Sequence, residues 1–201
     1  MAAMSTELSR EVQPVALQTQ STYTIKRSFW SFMERIFRVH TADGQLIMFV
    51  KHPLLKLREE FQVFADEAKT RPLLRVKSKQ ALAINFSYEV LDTTTGEVLG
   101  SVQKQGLRSI IRDKFIILDS TGAEIGYAEE QGASIMRRIF RFLPGHHAIF
   151  VEGQRVAVID QRFRFFTREF DVTMQPSKLD RRFVLAVALL ALMADARRED
   201  S

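Results

Sequence analysis

The stretch Phe183-Val-Leu-Ala-Val-Ala-Leu-Leu-Ala-Leu-Met-Ala194 decides the fold, because none of its twelve residues has a polar side chain. Helical side chains are spaced about 100° apart, so these residues cover every face of a helix, and such a helix must be buried on all sides. Twelve residues rise only about 18 Å, whereas bilayer hydrocarbon is roughly 30 Å thick. The stretch therefore predicts a core helix surrounded by protein, with Phe183, Leu185, Leu189 and Leu192 as its large core side chains. Ser177-x-x-Asp180 is the predicted cap in front of it.

The chain before this helix repeats one pattern, in which a short apolar run reaches an acidic residue, a polar turn with Gly follows, and a second apolar run returns. It occurs at 39–47, 90–100, 117–126 and 150–156, with a looser copy at 63–74. Asp and Gly supply turn geometry that bulkier residues resist, so each copy predicts a β-hairpin. The run 161–174 predicts one last strand, whose apolar side chains change phase by one residue at Phe165-Phe166, as at a bulge.

About twelve strands can be counted between residues 22 and 174. So many strands in so few residues need closure, since open edges promote aggregation. Two flat layers would leave part of the apolar helix in water, whereas a closed sheet surrounds it. We therefore predict a mainly β protein, a closed antiparallel barrel of about twelve strands around a buried apolar C-terminal helix. The polar segment 1–20 is predicted to be a disordered tail, and 21–198 a single domain.

Composition and motifs argue against catalysis. The chain has no cysteine, which excludes disulfides, thiolate chemistry and palmitoylation. No Walker-type loop, HExxH, GxSxG or GxGxxG motif occurs. Neighbouring strand residues point to opposite faces, so His146-His147 is a poor chelate, and the carboxylates of Glu129-Glu130 are expected to be separated and solvated. We predict no enzyme activity, no cofactor and no metal site. Without an apolar N-terminal signal, we expect a cytoplasmic protein, either free or peripheral to a membrane.

Basic residues are unevenly placed along a chain whose formal charge is +5. Residues 134–143 predict a short helix with Arg137, Arg138 and Arg141 on one side and apolar residues on the other, a pattern suited to a membrane surface. Arg162 and Arg164 add two basic side chains nearby. These five arginines are the predicted lipid-binding residues. The alternative is a helix seated on the mouth of the barrel with its arginines in water.

Three segments carry a family resemblance. Tyr88-Glu-Val-Leu-Asp-x-x-x-Gly-Glu-x-x-Gly100, Ser109-Ile-Ile-Arg-Asp-Lys-Phe-x-Ile-Leu-Asp119 and Gly126-Tyr-Ala-Glu-Glu130 are similar to segments of the LURP-one-related and phospholipid-scramblase-like proteins. The ending 179–191 resembles that family's core helix, and the resemblance covers about 22–196. It implies the tubby C-terminal-like fold, a twelve-stranded barrel around a C-terminal helix.

The resemblance also implies a role. Tubby domains bind phosphoinositide headgroups through basic residues, scramblases are linked to calcium and lipid movement, and plant LURP-one proteins to defence. This chain lacks the scramblase cysteine cluster and the Pro-rich N-terminal region. We expect a non-catalytic module that binds anionic lipid or phosphoinositide headgroups. A protein-interaction scaffold remains the alternative. We do not expect nucleic acid as a partner, because the phase of 162–166 turns most of its Phe side chains toward the core.

Overall fold

The computed structural model describes residues 20–28, 34–53, 60–81, 85–104, 114–131, 145–162 and 167–199. Within them, twelve antiparallel strands follow one another around a barrel that β1 and β12 close by pairing with each other. One helix, α1, lies inside. The predicted fold is confirmed, including the number of strands.

The strands alternate in direction and each pairs with its neighbours in sequence. Their bounds are β1 Thr22–Ser28, β2 Glu34–Thr41, β3 Leu46–Pro53, β4 Phe61–Phe64, β5 Pro72–Ala81, β6 Asn85–Asp92, β7 Val98–Lys104, β8 Lys114–Leu118, β9 Glu124–Gln131, β10 His146–Val151, β11 Gln154–Arg162 and β12 Thr167–Met174. Helix α1 is Arg181–Glu199.

The five predicted hairpins are confirmed. Their turns are 42–45, 65–71, 93–97, 119–123 and 152–153. Glu152 and Gly153 both have positive φ, 50° and 76°, which is the geometry of a two-residue turn that matches the twist of its strands. Because every second connection is one of these turns, all five lie at the same end of the barrel.

Helix α1 fills the barrel with the predicted side chains. Phe183, Leu185, Leu189 and Leu192 are each no more than 1% exposed. The helix is longer than the apolar stretch, since it begins at Arg181 and continues to Glu199. Its cap is Asp180 alone rather than Ser177 with Asp180: the Asp180 side chain accepts a hydrogen bond from the Arg182 amide at 2.7 Å, and its carbonyl accepts one from Val184.

The prediction of one strand over 161–174 is wrong. β11 ends at Arg162 and β12 begins at Thr167, and the two strands pair antiparallel with Arg162 opposite Glu169. The change of phase marks a reversal of the chain direction rather than a bulge. β11 and β12 run in opposite directions, and each strand has its own alternation of side chains that point into the barrel. Residues 163–166 themselves lie outside the described part of the chain, as do residues 1–19 of the predicted tail 1–20 and the predicted helix 134–143.

Candidate functional site: two chemically different ends of the barrel

The barrel has two ends that differ in the segments joining their strands. The turn end holds the five short turns, together with the segment 175–180 that leads into α1. The connector end lies where α1 finishes, and its strands are joined by the segments 29–33, 54–60, 82–84, 105–113, 132–145 and 163–166. Apart from Glu60 and Gly145, these segments lie outside the described residues, and only the strands that flank them are placed by the structure.

The predicted lipid-binding residues belong to β11 or to connections whose flanking strands end at the connector end. Arg162 is the last residue of β11, and Arg164 follows in the segment that leads to β12. Arg137, Arg138 and Arg141 belong to the segment between β9 and β10, and β10 is a neighbour of β11. Residues 137, 138, 141 and 164 lie outside the described part of the chain, so only Arg162 has a described side chain.

The same end is basic and aromatic in sequence. Its six segments include three acidic residues, Glu59, Glu60 and Asp113, against eight basic ones: Lys56, Arg58, Arg108, Arg112, Arg137, Arg138, Arg141 and Arg164. They also contain the single Trp, Trp30, and seven of the sixteen Phe, at positions 29, 32, 140, 142, 163, 165 and 166. Aromatic side chains beside basic ones suit a surface that is apolar on one side and anionic on the other.

Arg162 is not available as an isolated cation. Its guanidinium makes an ion pair with Asp171 of β12, although 54% of its side chain is exposed. Asp171 also accepts a hydrogen bond from Thr24 of β1 at 3.3 Å. The positive charge of Arg162 is therefore partly neutralised, and an anion that binds to Arg162 has to compete with the Asp171 carboxylate.

Inside the connector end, the last turns of α1 meet a polar wall. His147 on β10 is 4% exposed and its Nε2 lies 2.7 Å from Oδ2 of Asp195 on α1. Glu130 on β9, opposite His147 in the register, is only 5% exposed. The expectation that Glu130 is solvated is therefore wrong, because it is the member of the Glu129-Glu130 pair that points into the barrel. His146 points outward to Asp160, as the alternation of strand side chains predicted.

Sequence reasoning missed the contact between His147 and Asp195. A signal was present: Asp195 directly follows the apolar stretch, in a helix that has to stay buried, so a partner on the wall is required. The strand that supplies the partner cannot be read from periodicity alone. The contact links the end of the helix to β10 of the barrel wall.

The turn end has the opposite charge. Its described residues include three basic side chains, Lys69, Arg71 and Lys178, against seven acidic ones: Asp43, Asp66, Glu67, Glu97, Asp119, Glu152 and Asp180. No Phe, Trp, Ile, Val or Met occurs in its turns or in 175–180. The two ends therefore differ in charge and in aromatic content.

Several of these carboxylates are held ionised by their own turns. Asp119 accepts hydrogen bonds from the Thr121 hydroxyl at 2.7 Å and from the Ala123 amide at 3.0 Å, which lower its pKa. The Thr70 amide, at 3.0 Å, likewise lowers the pKa of Asp66. Bonds to the charged form favour that form, so these turns are anionic well below neutral pH.

The carboxylate of Asp92 is occupied in another way. Oδ1 accepts a hydrogen bond from the Thr94 amide at 2.7 Å, and Oδ2 pairs with the Arg182 guanidinium at 2.7 Å. Arg182 is 6% exposed and also pairs with Asp180 at 2.6 Å. Asp92 thus links the 93–97 turn to the start of α1, and both of its carboxylate oxygens make structural contacts.

Two further findings limit the kinds of site that the described residues can form. No cluster of three or more His, Cys, Asp or Glu side chains there could hold a metal ion. No helix in the same part of the chain has the length and apolar character needed to cross a bilayer.

A closed twelve-stranded antiparallel barrel with a helix through its centre is therefore the class of protein that the geometry defines. A family model described as LURP-one-related matches residues 21–191, and the chain belongs to that family. Comparisons with curated proteins and with solved structures gave no match.

Proposed function

We propose that this protein is a non-catalytic binding module that attaches peripherally to anionic membrane lipids, phosphoinositides included, through its connector end. The proposal is supported by the sequence of the connections at the connector end, which is rich in basic and aromatic residues, and by the acidic residues described at the turn end. The five arginines predicted from the sequence all belong to β11 or to the connections β9–β10 and β11–β12, within one third of the strands.

The expected free energies of binding support a reversible attachment. A basic residue near an anionic bilayer contributes about 1 kcal/mol, and this attraction fades within a Debye length of about 8 Å at physiological salt. Three arginines acting together would therefore strengthen binding by about 3 kcal/mol, or roughly 100-fold. Aromatic side chains at the same end would add contacts at the headgroup level. Attachment of this kind is sensitive to salt and needs no covalent anchor.

Reversal of the arginine charges in the connector end should remove the binding. We expect Arg137→Glu, Arg138→Glu and Arg141→Glu together to weaken association with vesicles of phosphatidylcholine containing phosphatidylserine or a phosphoinositide by at least about 100-fold. Vesicle flotation at low and high salt measures this, and an unchanged melting temperature shows that the fold is intact.

The matched control reverses three charges at the turn end: Lys69→Glu, Arg71→Glu and Lys178→Glu. It changes the net charge by the same amount, so a general charge effect would weaken both variants equally. The proposal requires the control to bind as the wild type does. Equal binding of the arginine variant and the wild type at low salt would contradict it, and would favour the protein-interaction scaffold.

A further inference from the structure

We infer that the barrel wall opens locally between β3 and β4, and that Arg38 is the clasp that holds this seam closed. The motion needs no lipid, so it is separate from the proposed function. Three features of the described residues support it: a short ladder at the seam, an arginine that crosses the seam on the outside, and the buried valines that the seam covers.

The seam between β3 and β4 has the shortest backbone ladder among the described strands. β4 comprises four residues, and β3 pairs with it at two positions, Phe49 opposite Phe64 and Val50 opposite Val63. On its other side, β3 pairs with β2 from end to end, and β5 pairs with β6 from Leu74 to Ala81. Two strands separate only when the bonds between them break, so the shortest ladder opens at the lowest free energy.

Arg38 crosses the seam on the outer face of the barrel. It lies on β2 opposite Phe49 of β3, and its guanidinium carbon is 5.5 Å from the centre of the Phe49 ring. Its Nε and Nη2 donate hydrogen bonds to the two carboxylate oxygens of Glu67 at 2.7 and 2.9 Å. Glu67 belongs to the 65–71 turn, which follows β4. One side chain therefore connects β2, over β3, to the far side of the seam.

The contact between Arg38 and Glu67 is specific but modest in strength. Two parallel bonds between a guanidinium and a carboxylate fix the geometry better than a single ion pair does. The hydrogen bonds raise the pKa of Arg38 and lower the pKa of Glu67, so both groups are charged at neutral pH. The side chains are 27% and 51% exposed, so water and salt screen their attraction. A clasp of this strength opens and closes reversibly.

The seam covers part of the apolar core. Val50 and Val63, which face each other across it, are both 0% exposed and belong to the same core as Leu189 of α1. Separation of β3 from β4 therefore gives the interior of the barrel a route to solvent, while the longer ladders stay paired.

Hydrogen exchange in the full-length protein, followed amide by amide by NMR, tests the local opening. In an antiparallel ladder one of two successive residue pairs exchanges both of its bonds, so two of the amides at positions 49, 50, 63 and 64 report on the seam. We expect them to exchange more than about 10-fold faster than the amides that bridge β11 and β12. Their rates should also change little in low urea, because a local opening exposes little surface. Seam amides that match those of β11–β12 in rate and urea dependence would overturn the opening.

Glu67→Gln tests the clasp, since it keeps the shape of the side chain and removes its charge. We expect it to raise the exchange rate of the seam amides about 2- to 5-fold. Glu89→Gln is the matched control, because it removes the same charge from the pair that Lys79 and Glu89 form between β5 and β6, which stays intact when the seam opens. Unchanged seam rates in Glu67→Gln, or an equal rise in Glu89→Gln, would overturn the role of Arg38.

A disulfide across the seam gives a second, independent measurement. The chain has no cysteine, and Phe49 and Phe64 face each other in register, so Phe49→Cys with Phe64→Cys places one bond across the seam. The oxidised protein should slow the seam amides to the rates of the β11–β12 amides, and reduction of the same protein should restore fast exchange. Equal seam rates in the oxidised and reduced forms would contradict the local opening.

Discussion

We expect Leu189→Asp to unfold the protein. Leu189 is 1% exposed in the middle of α1, where strands surround the helix on every side. Truncating a buried Leu to Ala already costs about 2–5 kcal/mol, and an unpaired charge in the same place costs several more. Typical domain stability is about 5–15 kcal/mol, so the aspartate removes most or all of it. Circular dichroism and thermal melting measure the loss.

Leu189→Met is the matched control, because it keeps the volume and apolar character of the side chain and should cost less than about 1.5 kcal/mol. A cooperative melt of the aspartate variant at the wild-type temperature would mean that the centre of the helix is not enclosed.

Gly100→Ala should have the second largest effect. Gly100 lies on β7 where Phe183 of α1 packs against the wall, and a Cβ there would lie 2.6 Å from the backbone carbonyl of Leu118 and closer still to the Phe183 ring. Its φ of 157° adds strain for any side chain. Overpacking and an unfavourable φ each cost about 1–3 kcal/mol, so we expect a loss of about 2–5 kcal/mol in the free energy of unfolding.

Gly122→Ala separates the two causes. Gly122 also has a positive φ, 89°, but a Cβ there meets nothing within 4 Å. It should lose only about 1–2 kcal/mol, from backbone strain. Equal losses for the two variants in urea denaturation would show that close packing of β7 against Phe183 does not contribute.

The sequence predicted the architecture because two of its signals are strong and local. An apolar stretch without a polar face can only be buried, and Asp-Gly turns between alternating runs can only be hairpins. Both signals depend on side chains close together in the chain. The strand count followed from the same hairpins, and closure followed from the need to enclose Phe183–Ala194.

The sequence predictions are wrong or incomplete where contacts between residues far apart in the chain determine the structure. The buried ion pair between Arg182 and Asp92 was missed because its partners lie ninety residues apart in the chain. Glu130 is buried because its strand turns it toward the end of α1. The change of phase between β11 and β12 was assigned to a bulge because a short reversal and a bulge shift side-chain alternation in the same way.

The candidate site could be predicted in part. Charge counting located the arginine-rich segments, but their assembly at one end requires the strand order. The opposite charge of the turn end also emerges only from the topology, since each of its acidic turns is an ordinary hairpin turn when considered alone.

The central claim is that the barrel exists only around its own helix, and the chain ending at Met174 tests it most directly. This truncation keeps all twelve strands and removes α1 with residues 175–201. It exposes the apolar inner faces of the strands, whose residues include the fully buried Ile25, Phe37 and Ile149. We predict an insoluble chain, or a soluble one without a cooperative melt by circular dichroism. A truncated chain that melts cooperatively with a native β-sheet spectrum would contradict the account.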